Sequence, residues 1–225
     1  MLAARNRGEA ALRLIYGPVV DLSDAIDPIV EIAGIRAAHD ALLERLDGGA
    51  PDPATPSRLP GWTVGHVLSH VEHNADSFRA VLLGRSQYAG FDERNAAIDA
   101  AATRPLREIV ASMRRSNDRL VAAFESETDW DRRVEMLVRP TRPRLMTLAR
   151  RREIEVHHLD LDLGRVPADL DAAYVERDTA LLTTWWETTR ERRLPPPVAT
   201  QPPLERWLWL VGRHDVDGLE PADLF

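Results

Sequence analysis

The sequence predicts an all-α protein, a four-helix bundle followed by a short, mainly helical C-terminal appendage. Two observations predict it. Apolar residues recur at helical spacing over four long segments that stop at glycines or before prolines. The second and third connections between those segments are long, which suits a bundle whose sequential helices are not all antiparallel neighbours. A chain of 225 residues is long enough for one large domain, or a smaller one plus an appendage, with a core that needs no staples. The boundaries read as 1–164 for the bundle, with 1–27 an N-terminal extension of unassigned structure, and 165–225 for a reduced C-terminal subdomain.

The first helix runs from Pro28 to Leu46, with Ile29, Ile32, Ile35, Leu42, Leu43 and Leu46 as its apolar stripe, and stops at Asp47-Gly48-Gly49. The next segment, Ala50 to Pro60, holds four prolines and reads as an irregular link. Thr63 can cap a second helix, because its hydroxyl accepts from an otherwise unpaired N–H of the first turn. That helix carries Val67, His70, Val71, Phe78, Val81 and Leu82 to a stop at Gly84. The polar stretch Arg85 to Arg104 reads as a crossover. A third helix follows with Pro105 in its first turn and Leu106, Ile109, Val110, Met113, Leu120, Val121 and Phe124 facing inward. Thr128 to Arg142, with Trp130 and the apolar run Met136 to Val138, reads as an extended connection. The fourth helix starts near Pro143, continues through Leu145, Leu148, Ile154, Val156 and Leu161, and ends at Gly164. The appendage begins at Pro167. It offers a helix from about Asp171 to Arg193 with Trp185 and Trp186, a break at Pro195 to Pro197, and a last helix through Trp207 to Leu210.

Composition narrows the function classes. The 29 basic and 36 acidic residues give a net charge of −7, and the basic residues are scattered among acids, so binding to nucleic acid by counterion release is disfavoured. No apolar run approaches the roughly 20 residues that span a bilayer, and Met1 to Arg13 has no signal-peptide core, which leads to the expectation of a cytoplasmic protein without a membrane partner. All the basic residues are arginines, a bias that GC-rich codon usage explains. Without Lys no Schiff base can form, and with Cys 0 the chain has neither a disulfide nor a thiolate of its own. Thiol chemistry here requires a thiol from a second molecule.

Five of the seven histidines fall in two short stretches, His66, His70 and His73 on the second helix and His157 and His158 on the fourth. Residues four apart share a helix face, so Glu153 projects with His157 and His66 with His70. A catalytic zinc commonly takes three His or carboxylate ligands and keeps a fourth position open. One ligand from the second helix and two from the fourth meet that count. The plainer reading is that His66, His73 and His158 hydrogen-bond at the surface or at helix ends and that Glu153 pairs with a neighbouring Arg.

The run from Leu59 through Gly61-Trp-Thr-Val-Gly-His66 to His70 and Asn74, and the run from Arg152 through Glu153, His157 and His158 to Asp160, together resemble the mycothiol-dependent maleylpyruvate isomerase family of the DinB-like superfamily. The resemblance covers roughly Pro28 to Gly164. It implies a DinB-like four-helix bundle in which His70, Glu153 and His157 hold a divalent metal, usually zinc, while His66, His73, Glu155 and His158 surround the site or lie at the surface. It also implies the missing thiol. Mycothiol, a cysteine-containing pseudo-disaccharide, is activated as a metal-bound thiolate; in the isomerase reaction it adds to a cis double bond, the resulting single bond rotates, and elimination gives the trans isomer. Relatives use the same thiolate for S-transfer to electrophiles.

The appendage departs from the family, whose isomerases carry a larger α/β part. Its segment Trp207 to Leu219 still resembles the family's closing motif, in which Arg213 is suited to grip a substrate carboxylate in a fork. The plainer reading of Arg213 is a surface ion pair. The expected function is therefore a mycothiol S-transferase or maleylpyruvate isomerase acting on a small electrophile, as a monomer or homodimer, with the metal zinc, nickel or another divalent ion. Two alternatives remain: a non-catalytic metal-binding module presenting Trp185, Trp186, Trp207 and Trp209 to a partner, and a metal-dependent hydrolase in which water replaces the thiol. A fourth protein ligand, such as His66 or His73, would favour the module.

Overall fold

The computed structural model describes residues 26–49, 51–136, 140–220 and 222. Most of the 1–27 extension, and Leu137 and Val138 of the extended connection, lie outside the described residues. The structure is helical almost throughout, in line with the all-α expectation. The described residues of Ser23–Arg165 form one compact unit and those of Val166–Phe225 another.

In the first unit, α1 spans Pro28–Gly49 and buries Ile32, Ile35, Leu42, Leu43 and Leu46 as its stripe predicts. Ile29 is the exception, being 69% exposed. It lies on the solvent side of the first turn, whose Pro28 and Glu31 are the buried residues. Helix α2 spans Val64–Leu82. Thr63 caps it by accepting from His66 N, while Thr63 N donates to His66 Nδ1, so two unpaired groups of the helix start are satisfied reciprocally. Gly84 takes φ +70° just beyond the other end, a backbone region that favours glycine.

The stretch expected to be a plain crossover contains a helix, α3, at Phe91–Ala102. Its amphipathic signal is faint because only Ile98 and Ala102 are buried. Its role is contact with α2: a Cβ on Gly65 would sit 2.2 Å from the Ala102 carbonyl oxygen. The second glycine of the Gly-Trp-Thr-Val-Gly-His run is thus a close-packing glycine that lets the end of α3 reach the start of α2.

Helix α4 spans Leu106–Glu125, with Pro105 immediately before its first residue, and buries Ile109, Met113, Leu120, Val121 and Phe124. A two-stranded antiparallel ladder follows, β1 (Val134–Glu135) and β2 (Pro140–Thr141), pairing Val134 with Thr141. Helix α5 spans Pro143–Asp160, with proline where its absent N–H costs nothing. The bundle's most extensive packing pairs α2 with α4 and α1 with α5, while α2 also meets α5. One apolar core runs through all four, from Ile35 and Leu42 through Val67 and Val71 to Met113, Phe124 and Ile154.

In the second unit, α6 spans Ala172–Arg190, capped by Asp171, whose Oδ1 accepts from Tyr174 N at 2.7 Å. The proline triplet, expected as a simple break, opens a one-turn helix, α7 (Pro196–Ala199), and α8 follows at Pro203–Leu210. Trp186, Trp207 and Trp209 are at most 2% exposed. Trp207 Nε1 donates to Asp178 Oδ2 at 2.7 Å. These three indoles are the core of the unit rather than a surface for a partner. No helix among the described residues is long and apolar enough to cross a membrane.

Candidate metal centre

Helix α2 presents His70 from its second turn and α5 presents Glu153 and His157 on one face, and the packing of α2 on α5 brings the three together. One ligand-type atom from each lies within 4.8 Å of the other two. His70 Nε2 is 2.8 Å from Glu153 Oε2, and His157 Nε2 is 3.4 Å from the same oxygen. The two imidazoles meet edge to face with ring centroids 4.6 Å apart. Both histidines are buried, and the glutamate is partly so.

Burial works to raise the Glu153 pKa, but hydrogen bonds from His157 and His70 outweigh it and hold the carboxyl well below its ordinary range. The two histidines then diverge. Burial, followed by the charge of His157, pushes His70 down to about 4. Burial also acts to lower His157, but its bonds to Asp160 and Glu153 prevail and raise its pKa. The two rings are thus driven in opposite directions, with the Glu153 carboxylate between them.

The donor set fits a divalent cation. Two imidazole nitrogens and a carboxylate oxygen, with no thiolate, suit zinc or a neighbouring divalent metal. Atoms bound to one ion at about 2.1 Å in tetrahedral geometry sit about 3.4 Å from each other; the His157–Glu153 spacing matches, and the shorter His70–Glu153 spacing is that of a hydrogen bond.

Two side chains that the sequence reading did not single out hold the histidines. Asp160 Oδ2 lies 2.8 Å from His157 Nδ1. A carboxylate behind a ligating imidazole fixes its tautomer and orientation. Arg94, from α3, places a guanidinium nitrogen 2.6 Å from His70 Nδ1. Asp160 was within reach of the sequence, standing three residues beyond His157 on one helix; Arg94 was hidden in a stretch with no clear helical stripe. Trp62 lies against His70 with ring centroids 5.5 Å apart. Beneath the triad Arg150, fully buried, donates to Val71 O and to the side chains of Asn74 and Asn117, which accounts for the asparagine of the first motif.

The remaining candidates are engaged elsewhere. His66 completes the cap of α2. His73 Nδ1 bonds the Tyr88 hydroxyl, whose own pKa burial pushes up to about 12. Glu155 pairs with Arg165. His158 is 1% exposed, so it is a core residue rather than a surface one. Glu153 pairs with two histidines instead of the arginine of the plainer reading. Arg213 belongs to the second unit, where it donates to Val211 O at 2.7 Å.

Comparison with known proteins gives three results. No curated protein matches the sequence significantly. Among solved structures, the crystal structure of a mycothiol-dependent maleylpyruvate isomerase superposes with a TM-score of 0.72 at 18% identity, over 85% of this chain and 91% of that one. A histidine-to-alanine mutant of the mycothiol-dependent maleylpyruvate isomerase matches with the same figures. At that identity the likeness speaks for the fold. The sequence profile described as the mycothiol maleylpyruvate isomerase N-terminal domain matches residues 32–162, more than half of the chain and all of α2 to α5, and this chain belongs to that family.

Proposed function

We propose that this protein is a metal-dependent enzyme that uses mycothiol to isomerise, or to transfer sulfur to, a small electrophile of the maleylpyruvate class. The carrying observation is the triad His70, Glu153 and His157, with ligand atoms within 4.8 Å of one another, inside a domain of the mycothiol maleylpyruvate isomerase family. These residues are the proposed ligands, and zinc is the metal their chemistry favours. A cation held there stabilises a thiolate near neutral pH and so provides the nucleophile that a chain without cysteine lacks.

The chain's own residues supply the rest. Asp160 holds the His157 ring by its Nδ1–H and keeps the opposite nitrogen aimed at the cluster. Trp62 gives the site a wall of low polarity beside His70, which strengthens charge interactions there. His66 and His73 bond to Thr63 and Tyr88, so neither is offered as a fourth ligand, and among the described residues His70, Glu153 and His157 alone group as ligands there. That favours the enzyme over the binding module. We place metal and thiol binding in the 1–164 domain and assign 165–225 to recognition of the electrophile, with Arg213 as the receptor of a substrate carboxylate.

Elemental analysis of the purified protein, thermal-shift titration with mycothiol and with other small thiols, and turnover of maleylpyruvate test the reading together. The expected result is about one divalent ion per chain, stabilisation by mycothiol, and turnover that needs both. Turnover without any thiol would instead establish the hydrolase, and an ion bound with no response to thiols or substrates would establish the binding module.

A further inference from the structure

The two histidines of the triad are held from behind by partners of opposite kind. Asp160 Oδ2 stands 2.8 Å from His157 Nδ1. A carboxylate only accepts, so Nδ1 carries a proton, and in the neutral ring Nε2 is left with the lone pair that a cation needs. At His70 the arrangement is reversed. Arg94 places its guanidinium nitrogen 2.6 Å from Nδ1, and a guanidinium only donates. Nδ1 must therefore be the acceptor, and the single proton of the neutral ring sits on Nε2, from which it is donated to Glu153 Oε2 at 2.8 Å. His70 is set in the tautomer that cannot bind a metal through the nitrogen facing Glu153.

Resting on the metal-centre reading above, we propose that Arg94 is a latch on His70: Arg94 and a cation compete for this imidazole, and metal binding requires it to move its proton to Nδ1 and the guanidinium to let go. The competition is forced by counting hydrogens. With a cation on Nε2 the neutral ring carries its proton on Nδ1, and that N–H faces the N–H of Arg94, donor against donor and beside a positive charge. The two contacts cannot coexist. Arg94 has somewhere to go, because it is only half-buried and its other terminal nitrogen already donates to Asn95 Oδ1 at 3.0 Å on the exposed face of α3. Arg94 is thus a positioning residue that acts through His70. By linkage, whatever draws Arg94 away strengthens metal binding, and metal binding frees a guanidinium beside the site.

Two measurements test this, with Zn(II) alone as the probe. The first compares the zinc affinity of the wild-type protein with that of Arg94→Met, by competition with a chromogenic chelator at fixed pH. Loss of one charge-assisted hydrogen bond from the competing state should tighten binding on the order of ten- to a hundredfold. The second is 15N NMR of the His70 ring in the wild-type protein, which needs no variant to fold. The metal-free ring should carry its proton on Nε2, and zinc should move it to Nδ1, a change that loss of a positive charge alone does not produce. Equal or weaker zinc binding by Arg94→Met overturns the latch, as does a metal-free His70 already protonated on Nδ1. Failure of both proteins to bind zinc removes the metal-centre reading itself and the latch with it, so the two failures are distinguishable.

Discussion

Glu153 is the residue on which the site turns, because both histidines of the triad direct a nitrogen at its Oε2. The contribution of each side chain can be separated by substitution. His157→Ala should abolish stoichiometric metal, whereas His73→Ala, which loses only a bond to Tyr88, should leave it bound; elemental analysis of both variants checks this. Asp160→Asn keeps the shape of the carboxylate but not its charge, and carboxylates behind ligating histidines are worth roughly ten- to a hundredfold in metal affinity. A chelator titration of that variant should show a loss in this range. A different buried histidine is expected to weaken the fold in acid. His39 is 2% exposed with Nε2 unbonded, and burial, then the charges of Arg150 and Arg114, push its pKa down from 6.5 to about 3. The unfolded chain binds this proton more readily, so the stabilisation is fully present above pH 6.5 and is lost as the pH falls towards 3. His39→Leu should unfold at lower pH than the wild type, with a stability difference that grows by a few kcal/mol across that window. Denaturant titrations at several pH values measure it; parallel profiles for the two proteins would show that His39 has no such effect.

The elements differ in how plainly the chain announces them. Helices α1, α2, α4 and α5 were legible because each buries an apolar stripe and carries a readable boundary: glycines at the end of α1 and just beyond α2, a proline immediately before α4 and another as the first residue of α5. Helix α3 was not, because a helix held mainly by Ile98 and Ala102 leaves a polar sequence with no clear period. Its placement depends instead on Gly65, which belongs to another element. Gly65→Ala tests this at the scale of the helix. In an exposed helix the change stabilises by about 1 kcal/mol, but here the added carbon meets the Ala102 carbonyl oxygen at 2.2 Å. A backbone clash in a packed contact costs about 1–3 kcal/mol. Thermal unfolding should therefore show destabilisation, and hydrogen exchange should place the loosening in α3. A stabilised variant would mean that α3 is not held against α2 in this way.

For the molecule as a whole, a ligand that binds only the folded state adds stability by mass action. Zinc at a hundred times its dissociation constant adds about 2.7 kcal/mol. Thermal scans should show this gain in the wild type and not in His157→Ala. The proposed substrate role of Arg213 is tested by Arg213→Ala. It should weaken turnover of a carboxylated electrophile such as maleylpyruvate more than that of a neutral one, with metal and thiol affinity unchanged. Equal loss on both substrates would make Arg213, with its bond to Val211 O, a structural residue.

The sequence by itself determined the helical class and the four stripes, because periodicity is a property of a local chain; spacing put Glu153 and His157 on one face and left the histidines of the second helix open, and it was the resemblance of the two motifs to a family that implied His70 as their companion. The sequence also excluded any internal thiol. Tertiary structure alone decided what stands behind His70, whereas Asp160 lies one turn from His157 on the same helix. Arg94 and His70 are 24 residues apart, and His70 and Glu153 are 83 apart. Such pairs exist only after helices pack, and no local pattern encodes which side chain a neighbouring helix will present. The same holds for Arg150, whose burial under the triad is tolerable only because Val71 O, Asn74 and Asn117 converge on it from α2 and α4. A charge is kept inside a protein when partners from separate elements meet it there, and that meeting is a property of the fold.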